Sequence, residues 1–199
     1  MCELRVLVVC TGNICRSPMG EAILRARLGA AGVGASVASA GTLGWSQHPA
    51  TPHAVAVMAE MGFDIGDHVS RRLNSDDLDV DLVVAMTRIH AGAVVGRDSE
   101  LKTRVFLPSE FARLAASSGS SGLTTPTNST GNAMSERIAA VGAMREGELV
   151  GRPAEEIDDP FGEPLAAYRA TAARLDRHLT GLVNALVGGA VDQQSKVHD

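Results

Sequence analysis

The first eighteen residues contain the pattern that most constrains the fold: a short apolar run, a glycine-containing turn and the start of a helix. Residues 5–9, Arg-Val-Leu-Val-Val, are apolar after Arg5 and rich in valine, which is typical of a buried parallel strand. Thr11-Gly12-Asn13 then indicates a turn, and Ser17-Pro18 predicts an N-cap followed by proline at the first helical position. A strand, a tight loop and a helix in this order begin a βαβ unit.

The same alternation continues along the chain. Further short apolar runs occupy residues 35–40, 82–86 and 105–107. Apolar residues recur at helical spacing within 18–28, 52–61 and 165–186. We therefore predict an α/β fold with a doubly wound, mostly four-stranded parallel sheet and helices on both faces.

One polar stretch interrupts this pattern. Residues 117–132 consist almost entirely of Ser, Thr, Gly and Asn and carry no charge, which is the composition of a flexible linker. We interpret residues 117–155 as an insertion or long mobile loop with a short helix around 135–144. The 199 residues then fit one domain over 1–187, followed by a flexible tail at 188–199.

Composition and charge exclude several classes of function. A net charge of −5 argues against a general surface for nucleic acid or acidic membranes. Three cysteines are too few for a disulfide framework or a four-cysteine metal site, and the six histidines show no ligand-like pairing. We interpret most histidines as surface or packing residues and expect no metal and no cofactor. The reduced cysteines and the lack of a long apolar run predict a cytoplasmic protein with no membrane partner, whereas nothing indicates an oligomeric state.

The loop from Cys10 to Arg16 is the strongest functional signal. It follows a predicted strand, at the edge where open α/β sheets bind ligands, and its backbone amides can form a nest for an anion. These amides, the following helix N-terminus and the Arg16 guanidinium favour the thiolate form of Cys10. Arg16 can also hold two oxygens of a tetrahedral oxyanion. A phosphate monoester uses all of these groups, and attack by Cys10 would give a phosphocysteine. The alternative is a buried structural cysteine beside a surface arginine.

Several segments carry a resemblance to a known family. Residues 8–22, Val-Val-Cys-Thr-Gly-Asn-Ile-Cys-Arg-Ser-Pro-Met-Gly-Glu-Ala, resemble the opening signature of the low molecular weight protein tyrosine phosphatases. Residues 39–42 with Trp45, residues 67–71 and Asp159-Pro160-Phe161 are similar to three further segments of that family. The similarity extends over about residues 4–110 and 155–187.

The resemblance implies a role for each matching residue. Cys10 would be the nucleophile, Arg16 the phosphate clamp, and Asp159 the general acid that later acts as base. Asp158 is a second available carboxylate, but Asp159 is the one joined to Pro160-Phe161. The expected substrate is a phosphotyrosine-containing protein or another aryl phosphate. Asn13 and Ser17 would also organise the loop, and Trp45 and Phe161 would form the walls of the pocket. The residues expected to bind or enclose the substrate are Thr11, Gly12, Asn13, Ile14, Cys15, Ser17, Trp45 and Phe161.

Three departures and two alternatives accompany this interpretation. The family often has Asp where this chain has Thr87, and often a tyrosine pair where it has Phe161-Gly162. Most members also lack an insertion before the acid loop. Thr87 and the insertion leave open the first alternative, a non-catalytic phosphoanion- or phosphopeptide-binding module. An arsenate reductase would need further cysteines late in the chain, and none follows Cys15.

The last question concerns Cys15. Its position at the other end of the tight loop, supported by the resemblance, predicts a reversible Cys10–Cys15 disulfide that protects the nucleophile from over-oxidation. The alternative is that Cys15 only packs in the core.

Overall fold

A four-stranded sheet forms the centre of the computed structural model, which describes residues 3–117, 131–145, 147 and 150–188. The strands are β1 (Leu4–Cys10), β2 (Ala35–Gly41), β3 (Leu82–Ala85) and β4 (Val105–Phe106). All pairings are parallel, and the strands lie in the order β2-β1-β3-β4. Strand β1 lies between β2 and β3, so the loop that follows it emerges near the middle of the sheet edge.

Six α-helices are present in the described residues: α1 (Arg16–Ala30), α2 (Pro52–Glu60), α3 (Arg88–Val95), α4 (Glu110–Ser117), α5 (Gly131–Ala143) and α6 (Leu165–Val187). Short 3₁₀ turns lie at Ser75–Leu78, Ser99–Thr103 and Pro153–Glu155. None of the helices in this part of the chain is long and apolar enough to cross a membrane.

The side chains of β1 alternate between two hydrophobic clusters. Val6 and Val8 belong to the larger cluster, together with buried residues of α1, α2, α4, α5 and α6. Leu7 and Val9 belong to the second cluster, together with buried residues of α3. A strand buried on both faces reads as a continuous apolar run, which is why β1 was recognisable in the sequence. The predicted doubly wound sheet with helices on both faces is confirmed.

Helix α1 begins two residues earlier than the Ser17-Pro18 pair predicts. Arg16 is its first residue, and Cys15 occupies the N-cap position without a side-chain cap bond. The prediction of Ser17 as the N-cap is therefore wrong. Its hydroxyl is fully buried inside the first turn and contacts Cys10 and Asn13 instead of a helix amide.

Helix α5 lies within the stretch that the sequence assigns to an insertion. Its side chains Met134, Ile138 and Val141 are buried in the larger cluster. Just beyond its end, Arg145 Nε lies 2.8 Å from a carboxylate oxygen of the fully buried Glu110. Residues 118–130 and 189–199, which include most of the linker-like run and of the predicted tail, lie outside the described residues. We keep the single domain over 1–187 with an insertion at 117–155 as a proposal.

Candidate active site

The loop between β1 and α1 is folded around the sulfur of Cys10. Asn13 has φ of 59°, a left-handed conformation that asparagine tolerates better than most residues. This conformation brings the Asn13 backbone N–H to 3.3 Å from Cys10 Sγ. The Ser17 hydroxyl lies 3.0 Å from the same sulfur. Cys10 is therefore buried at the loop base with two polar groups against its sulfur.

The side chain of Asn13 holds this loop to the rest of the fold. Its Nδ2 donates to Ser17 Oγ at 2.9 Å and to Ser39 Oγ at 2.8 Å, and its Oδ1 accepts from the Arg71 backbone N–H at 2.9 Å. The Asn13 carbonyl lies 2.8 Å from His68 Nε2, which must donate because a carbonyl only accepts. Since Ser17 Oγ accepts from Asn13, its own hydrogen can point at Cys10. This arrangement stabilises a thiolate, which can only accept.

Arg16 connects the loop with the segment that contains Asp159. The residue is 4% exposed, and its Nη1 donates to the Ile157 carbonyl at 3.1 Å. Its Nη2 donates to Thr11 Oγ1 at 3.4 Å and pairs with the Asp159 carboxylate. Arg16 Nε is buried and has no hydrogen-bond partner among the described residues. An anion in the cleft would supply the missing acceptor.

The two neighbouring carboxylates occupy different environments. Asp159 lines the cleft, and its Oδ1 accepts from the Phe161 backbone N–H at 3.2 Å. The Asp158 side chain is 91% exposed and lies 3.3 Å from Arg174 Nη1, away from the cleft residues. The structure thus brings Asp159, and not Asp158, to Cys10 and Arg16.

The acid segment, residues 153–159, is held from several sides. The Ile157 backbone N–H donates to the Met86 carbonyl, next to the end of β3, at 2.8 Å. Three arginines also bind the segment: Arg88 Nε donates to Glu156 at 3.0 Å, Arg113 Nε to Glu155 at 2.6 Å, and Arg174 Nη2 to the Ala154 carbonyl at 2.7 Å. These bonds and Arg16 fix the backbone that carries Asp159.

The cleft itself has a volume of about 150 Å³. Trp45 and Phe161 form an edge-to-face pair at its mouth, with ring centroids 5.4 Å apart. Asn13 and Ser17, named in the sequence as substrate-binding, do not line it and instead support the loop from behind. Leu43 also lines the mouth and was not predicted. It lies just after the second strand, and its side chain is 63% exposed. The lining residues are Cys10, Thr11, Gly12, Ile14, Cys15, Arg16, Leu43, Trp45, Asp159 and Phe161.

The second cysteine of the loop has different surroundings from the first. Cys15 Sγ lies 3.3 Å from Thr51 Oγ1 and 3.6 Å from the Tyr168 hydroxyl. Burial raises the pKa of Cys15, although these two hydrogen bonds act in the opposite direction. Both loop cysteines are free thiols. The environment therefore keeps Cys15 protonated.

Two of the six histidines, neither of which the sequence assigned to the site, contact the loop. His68 binds Asn13, and it lies in residues 67–71, one of the segments that carried the family resemblance. His90 is 3% exposed and lies 2.8 Å from Thr11 Oγ1 through Nε2 and 2.9 Å from Thr87 Oγ1 through Nδ1. Burial, assisted by the charge of Arg16, lowers the pKa of His90 to about 4. The feature of the sequence that could have indicated His90 is Thr87, which lies three residues earlier at the N-cap of α3.

Comparison with known proteins identifies the family. A family profile described as low molecular weight phosphotyrosine protein phosphatase matches residues 5–141. The chain belongs to this family. The family and fold that the sequence predicts are confirmed, and with them the class of enzyme, the phosphatases.

Individual relatives carry two kinds of name. A protein-arginine-phosphatase of Geobacillus stearothermophilus is 30% identical over 183 residues, covering 92% of this chain and 95% of that protein. The low molecular weight protein-tyrosine-phosphatase Etp of Escherichia coli is 41% identical over 103 residues, covering 51% of this chain and 67% of Etp. A Streptomyces coelicolor protein-tyrosine-phosphatase is 47% identical over 94 residues, but the match spans only 57% of its length.

Solved structures agree with the fold. The crystal structure of a low molecular weight protein tyrosine phosphatase from T. tengcongensis superimposes with a TM-score of 0.66 at 32% identity. The superposition covers 92% of this chain and 99% of the other.

The part of the chain that the structure describes contains no group of three or more His, Cys, Asp or Glu side chains arranged to hold a metal ion.

Proposed function

We propose that this member of the family is a protein tyrosine phosphatase that hydrolyses phosphate monoesters through a phosphocysteine at Cys10. One observation carries the proposal: Cys10, Arg16 and Asp159 line a single cleft at the carboxyl end of β1. Such a cleft contains a nucleophile, a cation for the phosphate and a carboxyl group for proton transfer.

In the first step, the Cys10 thiolate attacks phosphorus from the base of the cleft. An S–P bond forms, and the bond between phosphorus and the tyrosine oxygen breaks. Asp159 donates its proton to the leaving oxygen, so the product is neutral tyrosine rather than a phenolate. The loop amides and Arg16 stabilise the charge on the transferred phosphoryl oxygens. Asp159 must leave its ion pair with Arg16 as the substrate phosphate takes its place.

In the second step, water hydrolyses the phosphocysteine. Asp159, now a carboxylate, accepts a proton from the water as its oxygen attacks phosphorus. The S–P bond breaks, inorganic phosphate forms, and the thiolate returns. The Ser17 hydroxyl stabilises that leaving sulfur through its contact with Cys10.

The cleft wall favours phosphotyrosine over phosphoarginine. Its outer part is apolar and partly aromatic, with Ile14, Leu43, Trp45 and Phe161. A phenyl ring gains dispersion and edge-to-face contacts between such walls. A guanidinium group needs carboxylate or carbonyl acceptors, and Asp159 is the single carboxylate among the described lining residues. We therefore propose a phosphotyrosine-containing protein as the substrate, although one full-length relative bears the name arginine phosphatase.

Parallel hydrolysis assays test this proposal. Two peptides of the same sequence, one with phosphotyrosine and one with phosphoarginine, are incubated with the parent protein and with Cys10→Ser, Asp159→Ala and Asp158→Asn. We expect release from the phosphotyrosine peptide, complete loss in Cys10→Ser, a reduction of about 10²–10⁴-fold in Asp159→Ala and parent-like rates in Asp158→Asn.

Other outcomes select among the alternatives. Preferred release from the phosphoarginine peptide would overturn the substrate assignment and keep the mechanism. Peptide binding without turnover would favour the phosphopeptide-binding module. Equal losses in Asp158→Asn and Asp159→Ala would contradict the assignment of the acid.

We also propose that the loop is redox-sensitive. Peroxide would oxidise the Cys10 thiolate to a sulfenic acid, and Cys15 would then displace water to form a Cys10–Cys15 disulfide. Cys15 must first lose its proton and its contacts with Thr51 and Tyr168. Mass spectrometry of a peroxide-treated sample should show the disulfide, and a thiol should restore activity. Dependence on a reduced thiol also supports a cytoplasmic location.

A further inference from the structure

A buried line of side chains connects helix α3 to the cleft. Thr87, at the N-cap of α3, contacts His90 Nδ1 at 2.9 Å. On the other side of the ring, His90 Nε2 contacts Thr11 Oγ1 at 2.8 Å. Thr11 lines the cleft and also accepts from Arg16 Nη2 at 3.4 Å. No role in the proposed chemistry has so far been given to Thr87 or His90.

Hydrogen-bond counting leaves two arrangements for this line. A neutral imidazole has one donor and one acceptor, so its proton is on Nδ1 or on Nε2. With the proton on Nδ1, Thr87 accepts it and Thr11 donates its hydroxyl hydrogen to Nε2. With the proton on Nε2, Thr87 donates to Nδ1 and Thr11 accepts from the ring.

The second arrangement uses the available groups more completely. Thr87 Oγ1 already accepts from the His90 backbone N–H at 3.4 Å, and the acceptor found for its own hydrogen in the described residues is His90 Nδ1. In this arrangement Thr11 Oγ1 accepts from both His90 and Arg16, so its hydroxyl hydrogen remains for an anion in the cleft. The first arrangement leaves the Thr87 hydrogen without that acceptor and withdraws the Thr11 hydrogen from the cleft.

We propose that Thr87 and His90 are positioning residues that direct the Thr11 hydroxyl hydrogen at a phosphate oxygen of the substrate. Thr11 is then a side-chain donor in addition to Arg16 and the loop amides. The inference rests on the proposed function, because the anion is the substrate phosphate. Burial and the nearby Arg16 charge keep His90 neutral at mildly acidic pH, so the ring retains the acceptor that Thr87 needs.

Binding of inorganic phosphate tests the inference without turnover. Trp45 lines the cleft and is the single tryptophan, so its fluorescence reports occupancy. We expect Thr11→Val and Thr87→Val each to raise the Kd of phosphate, by about tenfold for Thr11→Val. Thr11→Ser and Thr87→Ser retain the hydroxyls and should bind within about twofold of the parent. Both substitutions remove the hydrogen bond from Thr11 to phosphate, Thr11→Val directly and Thr87→Val through His90. The double variant should therefore bind phosphate no more weakly than Thr11→Val alone.

The protonated nitrogen of His90 supplies a second readout. Nitrogen-15 spectra of histidine-labelled protein should place the ring proton on Nε2 in the parent. A proton on Nδ1 would overturn the inference, as would a Thr87→Val protein with a lower Tm but parent-like phosphate affinity. Independent losses in the double variant would also overturn it. Failure of phosphotyrosine turnover alongside the expected phosphate-binding pattern would count against the proposed function alone.

Discussion

The buried imidazole of His90 should make the stability of this protein depend on pH. In the folded state, burial and the charge of Arg16 lower the pKa of His90 from 6.5 to about 4, and Glu156 opposes this only in part. In the unfolded chain the ring is solvated and takes up a proton as the pH falls below 6.5. The unfolded state then binds more protons than the folded state, so the free energy of unfolding decreases as the pH is lowered. The contribution is complete above pH 6.5 and is lost progressively towards pH 4.

The size of the effect follows from the two pKa values. Between pH 7.5 and pH 5.0 the unfolded ring becomes almost fully protonated, whereas the folded ring remains mostly neutral. Proton linkage converts this difference to a loss of about 2 kcal/mol in the free energy of unfolding. This amount is a substantial part of the total stability of an ordinary domain.

Urea unfolding of the parent and of His90→Gln, measured at pH 7.5, 6.5, 5.5 and 5.0, isolates this contribution. Glutamine loses the hydrogen bonds in part, so the variant should be less stable at pH 7.5, but it carries no titrating group. The two stability curves should therefore converge by about 2 kcal/mol as the pH falls to 5.0. The carboxylates and His178 are present in both proteins, so their contributions to the pH dependence cancel in the difference. Parallel curves would refute the assignment of a neutral buried His90.

Three further predictions concern packing and the loop. Arg145→Met leaves the fully buried Glu110 carboxylate without its cation and should lower the free energy of unfolding by about 3–5 kcal/mol in urea, with partial recovery on adding Glu110→Gln. Gly142→Ala would drive a Cβ into the Thr103 carbonyl, so its Tm should fall by the equivalent of about 1–3 kcal/mol while the folded fraction keeps parent-like turnover. Asn13→Ala removes the side chain that positions the loop and should lower kcat on para-nitrophenyl phosphate about a hundredfold; an unchanged kcat would contradict the role of that amide.

The sequence was sufficient for the elements whose cause is local. The first strand was expected at residues 5–9 and occupies Leu4–Cys10, because a strand covered on both faces must be apolar throughout. The loop was recognisable because Cys10 and Arg16, the proposed nucleophile and cation, lie in one tight turn between a strand and a helix. The choice of Asp159 over Asp158 came from the family resemblance of Asp159-Pro160-Phe161, and Asp159 is the one that lines the cleft.

The rest of the site depends on contacts between distant parts of the chain. His68 and His90 are 55 and 79 residues from the loop positions that they bind, and no short pattern specifies such a meeting. Leu43 lines the mouth, and its backbone N–H donates to the Thr11 carbonyl, 32 residues away in the sequence. Ser17 was misassigned for the opposite reason. Its local context, a serine before a proline, favours a helix cap, but the sulfur of Cys10 and the amide of Asn13 offered it better partners.

The bonds that fix the acid segment have a consequence for the time course of catalysis. Because Arg16, Arg88, Arg113 and Arg174 anchor this backbone within the fold, the entropy cost of ordering it falls on folding rather than on each binding event. The main adjustment required is a side-chain rotation of Asp159 away from Arg16, which belongs to the picosecond-to-nanosecond range. Rapid-mixing traces with a small aryl phosphate should therefore contain no slow phase from closing of this segment.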